Sequence, residues 1–427
     1  MQNYAPHPTL LQGKKVVVAV SGSIAIYKSL EFIRLLIKSG ASVRVVMSAS
    51  AVKFIAPLTF ETVSQNRVLD DENESWADDH NHIGFAKWAD LLIIAPATAN
   101  TIAKLANAIA DNILLQVALA FGGKKLIAPA ANTTMLENPI TQANLKMLGI
   151  ANYEIVSSQT KLLACRDVGN GAMAEPLELY FQSARALLSS EFWRDRRVIV
   201  TGGGTIEKID DVRYLSNFSS GKMASALASA LYLRGADVNL IATRFSPYLP
   251  ASMHTIDVES SSEMLEYLSD SIRVAKKGKL SKPTLMSDEP IRLIQKKPFL
   301  FMAAAVSDYT PQFAQSGKLK KSLLGKEWQL SLKQNADLLS SIDKDGIATV
   351  AFKAEMDPDG AMQNAKDLLD LKCVDAVCLN LLDGSKSFGS DDNAIEFITK
   401  SGTKSLPRAD KLSLSLDLLD LASELAE

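Results

Sequence analysis

The chain has 427 residues and a formal net charge of −2, because 46 lysines and arginines are balanced by 48 aspartates and glutamates. This length predicts two or three domains, and the near-neutral charge gives no general attraction to nucleic acid or to an anionic membrane. The three cysteines, Cys165, Cys373 and Cys378, are too few for a disulfide framework. No apolar run approaches the roughly 18 residues of a membrane span, and Met1–Gly13 lacks the pattern of a signal peptide. We therefore expect a cytoplasmic protein without a membrane partner.

The first half of the chain alternates short apolar runs with amphipathic stretches. This alternation predicts βαβ units and hence a parallel sheet. The expected strands are 16–20, 43–47, 91–95 and 125–128, and the expected helices are 24–39, 102–119 and 177–188.

The same alternation returns near the middle of the chain. Here the expected strands are 198–201, 237–243, 299–304, 348–352, 376–379 and 394–398, and the expected helices are 221–234 and 411–425. The repetition predicts an α/β protein with two doubly wound, Rossmann-like domains in tandem, residues 1–190 and 191–427. The basic segment 276–298 is typical of a solvated insertion or, alternatively, of a partner-binding patch.

Small and polar residues follow several predicted strands of the first domain. Gly22 follows the first strand, 96–101 (PATANT) the third and 129–135 (PAANTTM) the fourth. The carboxyl ends of parallel strands share one edge, so a common ligand pocket is expected there, with a phosphate near the helix start after Gly22. Ordinary βα turns and helix capping by Thr98 or Asn100 are the alternative. The absence of GxGxxG and GxxxxGK[ST] argues against dinucleotide or ATP sites of those types.

Two residues of the first domain are candidates for proton chemistry. His82, one of four histidines, precedes a helix-like run, and Cys165 lies in a glycine-punctuated loop. By itself His82 is better explained as a surface or helix-capping residue, and a cysteine is most often an inert buried thiol. A flexible loop is an unusual place for a buried thiol, however, and such a loop can act as a lid.

Together these motifs resemble the flavin-dependent cysteine decarboxylases, and more closely the decarboxylase half of the bifunctional phosphopantothenoylcysteine decarboxylase/phosphopantothenate–cysteine ligases. The matching segments are GSIA (22–25), HI (82–83), PATANT (96–101), PAANTTM (129–135) and ACRDVGNGAM (164–173). The resemblance implies a flavodoxin-like domain whose FMN contacts are Gly22, Ser23, Ile24, Ser48, Thr98 and Asn100. It also implies that His82 is the catalytic histidine, Asn132 binds the substrate carboxylate and Cys165 donates a proton.

The implied chemistry explains why such a family uses a flavin. Loss of CO₂ from an ordinary cysteinyl carboxylate leaves a carbanion without an electron sink, and in the family FMN supplies that sink by oxidising the thiol side chain. Cys165 would then protonate the enethiolate product. Two positions depart from the family pattern, because Ala131 replaces a methionine and Ala172 replaces an arginine.

Two segments of the second domain suit a phosphate or a nucleotide. Residues 217–221 precede a predicted helix, which they can cap while presenting N–H groups to an anion. The segment 303–309 (AAAVSDY) ends a predicted strand and places Asp308 at the sheet edge. The following lysines of 318–321 (KLKK) either form a solvated face or close over a triphosphate.

With VRYLSNFSSGKM (212–223) and SFGSDDN (387–393), these segments resemble the ligase half of the same family. In that family CTP activates phosphopantothenate as an acyl-cytidylate, from which the cysteine amine displaces CMP. The resemblance implies that Asn217 acts on this intermediate and that Lys318 acts in its formation. It places nucleotide contacts at Met302, Ala303, Ala304, Asp308, Ala336, Asp337, Leu338, Leu339, Phe352 and Lys372. Ala336 replaces a family proline, and Leu368 stands where the family has a second lysine, with Lys366 as the alternative.

We therefore predict a cytoplasmic bifunctional enzyme that makes 4′-phosphopantetheine from 4′-phosphopantothenate and cysteine. Its cofactors would be FMN and Mg²⁺, with CTP as co-substrate, and nucleic acid is not an expected partner. The resemblance also implies a homo-oligomer with trimer contacts in the first domain and dimer contacts in the second. Two other interpretations stay open: a pyridine-nucleotide oxidoreductase with tandem domains, and a non-catalytic flavin-binding regulatory protein.

Overall fold

The computed structural model describes residues 4–162, 168–285, 290–320, 325–382 and 389–426. The chain divides into two compact units. The first comprises Met1–Leu188 and Ser281–Arg292, and the second comprises Ser189–Leu280 and Leu293–Glu427. None of the helices in the described ranges combines the length and the apolar character that crossing a membrane requires.

In the described ranges, the first unit contains strands β1 to β7 and helices α1 to α9. Strands β1 to β7 are Lys15–Val20, Ser42–Met47, Leu91–Ala97, Lys124–Pro129, Tyr153–Ile155, Gln159–Leu162 and Val168–Ala172. Helices α1 to α9 are Ile26–Lys38, Ala49–Val52, Pro57–Ser64, His82–Trp88, Ala99–Ala106, Ile113–Ala120, Thr133–Glu137, Pro139–Ile150 and Pro176–Leu188.

The main sheet of the first unit has the strand order β2-β1-β3-β4-β5, and every pair in it is parallel. β3 is buried along its whole length, as expected for a central strand covered by helices on both faces. The order is that of flavodoxin-like folds, which confirms the predicted architecture of this unit. It reverses direction between β1 and β3, the position at which such sheets bind ligands.

The single helix predicted over 102–119 is wrong, because two helices, α5 and α6, occupy this stretch. Asn107 is the C-cap of α5, and Ala108 follows with a left-handed φ of 54° that ends the helix. Asn112 then caps α6, its side chain accepting a hydrogen bond from the Leu115 N–H at 3.0 Å. The apolar residues continue across this turn, so the periodicity alone does not reveal the break.

The second unit contains the remaining numbered elements. Strands β8 to β21 are Arg197–Gly202, Glu207–Lys208, Tyr214–Leu215, Asp237–Ala242, His254–Asp257, Lys279–Leu280, Leu293–Ile294, Phe299–Met302, Tyr309–Pro311, Leu332–Gln334, Ala348–Glu355, Ala376–Leu381, Asp392–Thr399 and Gly402–Asp410. Helices α10 to α14 are Lys222–Leu233, Ser261–Ala275, Leu338–Ser341, Pro358–Leu371 and Lys411–Ser423, and the 3₁₀ turn Glu424–Ala426 follows.

The large sheet of the second unit is mixed. Its order is β12-β11-β8-β15-β18-β19-β20-β21, with β12 to β19 parallel and β20 and β21 antiparallel. The parallel part has the doubly wound order with its reversal between β8 and β15, which confirms the predicted Rossmann-like class. β21 has no strand signal in the sequence, because this edge strand is mostly exposed and carries no apolar run.

Candidate functional site

The carboxyl edge of the first sheet collects the candidate residues of the first unit. Gly22 follows β1, Ser48 follows β2, Thr98 follows β3 and Asn132 follows β4. His82 begins α4, which leads into β3, and a helix that returns to the start of a parallel strand begins at the carboxyl edge of the sheet. The topology therefore brings these five residues to one edge.

The side chain of Ser21 joins the ends of the two strands at the reversal point. Its hydroxyl donates to the Pro96 carbonyl at 2.8 Å and accepts from the Thr98 N–H at 3.1 Å. At the next residue, Gly22, a Cβ atom would lie 2.5 Å from the Cβ of Ser50. Only glycine fits at this position, so the loop after β1 closely approaches helix α2.

The N-terminus of α1, which begins after Gly22, lacks the side-chain cap that α2, α5 and α7 have. Ser48, Thr98 and Asn132 cap α2, α5 and α7 through side-chain hydrogen bonds, which confirms the capping interpretation of Thr98. The N-cap of α1, Ala25, makes no such bond, and the first turn of α1 carries no acidic residue. The positive end of the α1 dipole therefore has no negative side chain on it, which suits an anionic ligand.

His82 is held by an acidic residue that precedes it in the chain. Its Nδ1 lies 2.7 Å from Glu74 Oε1, and its backbone N–H donates to the same oxygen at 3.3 Å. The hydrogen bond from His82 is the main reason that the pKa of Glu74 lies below its ordinary value. Asn81 caps α4, so the capping interpretation of His82 is wrong.

The candidate Cys165 lies outside the described residues, as do its neighbours in 163–167. The strands on either side of it form the hairpin β6–β7, whose backbone packs against the loop after β4. The Ala131 N–H donates to the Gly171 carbonyl at 3.2 Å, and a Cβ at Gly171 would lie 2.1 Å from the Ala131 oxygen. The end of β7 therefore lies beside the loop of Asn132.

The second unit has a cavity of about 450 Å³ at the carboxyl ends of β15, β18 and β19. Its lining includes four cationic side chains, which are Lys222, Lys353, Arg408 and Lys411, and one acidic side chain, Asp392. Cationic side chains in a concave site attract phosphate groups. The cavity is therefore a candidate site for a nucleotide or a phosphorylated substrate.

Two of these cations hold the segment 389–392 against the cavity. Lys222 pairs with Asp391 at 2.6 Å and donates to the Gly389 carbonyl at 2.8 Å. Lys411 donates to the carbonyls of Ser390 and Asp392, and burial, helped by Lys222, lowers its pKa. The motif 387–393 thus contributes to the cavity wall, although 387 and 388 lie outside the described residues.

The cavity brings together some of the nucleotide-binding candidates and not others. Ala303, Ala304 and Phe352 line it, and the buried Met302 ends β15 next to them. Asn217, Asp308 and Lys318 are absent from its lining within the described ranges.

Asn217 and Asp308 are nevertheless brought to the same loop. The Asn217 side-chain amide donates to the Val306 carbonyl at 2.9 Å, two residues before Asp308. The Asp308 carbonyl accepts from the Asn335 N–H at 2.8 Å, which joins this loop to the segment preceding Ala336. The Asp308 residue itself is exposed.

Asp337, Leu338 and Leu339 form a small group with Lys372. Asp337 caps α12, whose first two residues are Leu338 and Leu339, and the ammonium group of Lys372 lies 2.9 Å from Asp337 Oδ2. Partial burial works against ionisation of Asp337, but Lys372 and the Ser340 N–H hold its pKa below the ordinary value. Lys372 therefore forms an ion pair with Asp337, another candidate nucleotide-binding residue.

The exposed segment containing Lys318 is fixed at its base by a buried carboxylate. Asp210 Oδ2 accepts from the Leu319 N–H at 3.1 Å and from the Arg213 guanidinium, which also donates to the Leu319 carbonyl at 3.1 Å. Asp211 likewise accepts from the Gly317 N–H at 2.6 Å. The Arg213 hydrogen bond holds the pKa of Asp210 far below its ordinary value.

Replacing Asp210 should release the segment around Lys318. In Asp210→Asn we expect roughly tenfold or faster hydrogen exchange of the Leu319 amide, because a charged acceptor is lost. The matched control is Glu266→Gln, an exposed residue of α11. In the parent chain the protection should persist at pH 4, because the lowered pKa keeps the Asp210 carboxylate ionised well below the ordinary value of about 3.9. Unchanged exchange in Asp210→Asn would contradict the anchoring.

Sequence reasoning missed several of these residues. Glu74 belongs to no periodic pattern or motif. Asp210 lies two residues before the matched segment 212–223, and this proximity is a signal that could have identified it as a candidate. The basic residues Lys353 and Arg408 lie on different strands, β18 and β21, and only the sheet brings them to one cavity.

Two family models together match nearly the whole chain. The model described as "Flavoprotein" matches residues 4–185, and the one described as "DNA/pantothenate metabolism flavoprotein C-terminal domain" matches residues 193–277 and 280–425. A solved PPC decarboxylase mutant complexed with pantothenoylaminoethenethiol is 34% identical, covering 40% of this chain and 96% of its own, with a TM-score of 0.37.

Full-length relatives agree with both family models. The Coenzyme A biosynthesis bifunctional protein CoaBC of Haemophilus influenzae is 36% identical over 414 residues, covering 96% of this chain and 97% of its own. The protein of the same name from Vibrio cholerae is 35% identical over 419 residues, covering 97% and 99%. The chain therefore belongs to the CoaBC family of coenzyme A biosynthesis bifunctional proteins.

Proposed function

We propose that this chain performs two successive reactions of coenzyme A biosynthesis. The first is the CTP-dependent joining of cysteine to 4′-phosphopantothenate, and the second is the FMN-dependent decarboxylation of the product to 4′-phosphopantetheine. The observation that carries the proposal is the similarity to CoaBC proteins along 96–97% of the chain, which includes both units. The decarboxylase and ligase activities follow from membership of this family.

We assign the decarboxylation to the carboxyl edge of the first sheet. FMN, when bound, supplies the electron sink that allows CO₂ to leave. The start of α1, without a capping or acidic side chain, suits its phosphate, and Gly22, Ser23, Ile24, Ser48, Thr98 and Asn100 would surround it. Asn132 would orient the substrate carboxylate, His82 would exchange a proton at its ring, and Cys165 would be the proton donor to the product.

We assign the ligation to the cavity of the second unit. Its cationic side chains suit the phosphates of CTP, and Ala303, Ala304 and Phe352 would contact the nucleoside. Lys318 would neutralise charge as the acyl-cytidylate forms, and Asn217 would act on that intermediate. Asp308 and the group formed by Asp337 and Lys372 would complete the nucleotide site.

Mg²⁺ would reach this site with the triphosphate. Among the described residues there is no group of three or more His, Cys, Asp or Glu side chains placed to hold a metal ion. In the usual magnesium site the ligands are substrate phosphates, waters and one or two carboxylates. The exposed carboxylate of Asp308 is our candidate.

The cell compartment and the assembly are part of the same proposal. Three cysteines in 427 residues suit a reducing cytoplasm, and two of them, Cys373 and Cys378, are free thiols. The resemblance to the family supports a homo-oligomer acting on small molecules.

The purified chain tests the proposal directly. Supplied with 4′-phosphopantothenate, cysteine and CTP, it should release pyrophosphate and CO₂, and it should be yellow with a flavin absorbance spectrum. A colourless protein that binds NAD(P) would contradict the proposal and favour the pyridine-nucleotide oxidoreductase. A flavoprotein that releases neither pyrophosphate nor CO₂ would contradict it and favour the non-catalytic regulatory protein.

Replacing His82 should separate the two activities. In His82→Asn we expect CO₂ release to fall by at least about 100-fold, because the side chain no longer exchanges a proton. Release of pyrophosphate from CTP should stay at the parent rate, since the ligation is assigned to the second unit. Loss of both activities in a variant that keeps its flavin would show that the two sites are not separate.

Replacing Lys318 should have the opposite effect. In Lys318→Gln we expect pyrophosphate release to fall by about 100-fold, because the developing phosphate charge loses its positive partner. Decarboxylation of added 4′-phosphopantothenoylcysteine should continue at the parent rate. Unaltered pyrophosphate release would remove Lys318 from the proposed role.

A further inference from the structure

Glu74 contacts the proposed catalytic histidine, His82, through its carboxylate. Its Oε1 accepts two hydrogen bonds from one residue, from His82 Nδ1 at 2.7 Å and from the His82 backbone N–H at 3.3 Å. We propose that Glu74 is a positioning residue for decarboxylation, which orients the His82 ring and leaves Nε2 as the nitrogen that exchanges the proton. This inference rests on the proposed function of the first unit.

The loop that carries Glu74 is held on both sides of it. On one side, the Asn73 side chain accepts from the Asp70 N–H at 3.0 Å and donates to the Val68 carbonyl at 2.9 Å. On the other side, the Ser75 N–H donates to the His80 carbonyl at 2.9 Å. The Glu74 carboxylate is therefore presented by a preorganised backbone.

The start of α4 is held as firmly as the loop. Asn81 caps the helix through the Gly84 N–H at 2.9 Å, and its amide donates to the Ser75 carbonyl at 3.1 Å. A Cβ at Gly84 would lie 2.1 Å from the Asp79 oxygen, so the loop backbone passes directly over the helix. Glu74 and His82 thus lie on two segments that are joined to each other by hydrogen bonds.

The charge of Glu74 selects the tautomer of His82. The pKa of Glu74 is lowered, chiefly by the hydrogen bond from His82, so the carboxylate is ionised and can only accept. Nδ1 must therefore carry the proton, and the neutral ring has its lone pair on Nε2. Within the described part of the chain, Nε2 has no hydrogen-bond partner, and the side chain keeps 23% of its surface exposed.

The same carboxylate stabilises the charge that appears during proton transfer. When a substrate group gives its proton to Nε2, a new N–H bond forms and the electron pair of the broken bond stays on the substrate. The positive charge on the ring then lies beside the Glu74 carboxylate, whose Oε1 is 2.7 Å from Nδ1, and the two opposite charges attract each other. Return of the proton from Nε2 restores the starting state.

An aromatic ring restrains His82 from another direction. The rings of Trp76 and His82 meet edge to face, with centroids 5.5 Å apart and an interplanar angle of 86°. Because Trp76 and Glu74 lie two residues apart in the same loop, one segment provides both contacts. Flipping the ring about its Cβ–Cγ bond would break the hydrogen bond from Nδ1 to Glu74.

Replacing Glu74 should lower the catalytic rate without weakening substrate binding. In Glu74→Ala we expect kcat for decarboxylation of 4′-phosphopantothenoylcysteine to fall by about 10- to 100-fold, with KM unchanged. Glu74→Gln should recover part of that loss, because the glutamine oxygen can still accept from Nδ1–H without the charge. On a His82→Asn background, Glu74→Ala should have no further effect, because the two residues act as a unit.

The controls separate positioning from a general loss of structure. Glu72→Gln changes an exposed carboxylate in the same loop and should keep the parent kcat. Flavin content and pyrophosphate release should be the same in all variants. If Glu74→Ala keeps the parent kcat, if Glu74→Gln is as slow as Glu74→Ala, or if the variants lose their flavin, the positioning role is refuted. Absence of CO₂ release by the unaltered chain would refute the proposed function instead.

Discussion

The parallel pairing of β1 with both β2 and β3 is the constraint on which the proposed decarboxylase site depends. In this register Val18 lies opposite Val45 on one side and Ile93 on the other, so the three strands end at nearly the same level. Each following loop therefore opens on one edge, and helices that return to the next strand begin there. Residues far apart in the chain, such as Gly22 and Asn132, reach a common site because backbone hydrogen bonds align the strands.

In the second unit the candidate site also lies at the carboxyl ends of parallel strands, but cationic side chains line it. Its cavity lies where β15, β18 and β19 end, and cationic side chains from a helix start and from the antiparallel extension surround it. Lys222 and Lys411 also bind the segment 389–392, so the same residues that make the cavity positive fix one of its walls. A buried carboxylate, Asp210, anchors the segment of Lys318 in the same unit.

Much of the architecture was predictable because strand and helix signals are local. The apolar runs of the central strands predicted two doubly wound units, since a strand buried on both faces reads as continuous apolar sequence. The break between α5 and α6 was not predictable from periodicity, because Ala108 adopts a left-handed conformation without a glycine to signal it. The antiparallel direction of β20 was likewise hidden, because an apolar run has the same pattern in either direction.

By itself, the sequence determined the fold class, the family and the candidate residues that stand in motifs, since these depend on residues close together in the chain. Only the tertiary structure decided which other side chains contact those candidate residues or line a cavity with them. Glu74 is eight residues from His82 and belongs to no periodic pattern, yet the folded loop brings its carboxylate to 2.7 Å from the ring. Likewise, Lys353 and Arg408 line one cavity because two strands of the mixed sheet end there. Such partnerships arise from how loops and strands pack, which local sequence signals do not encode.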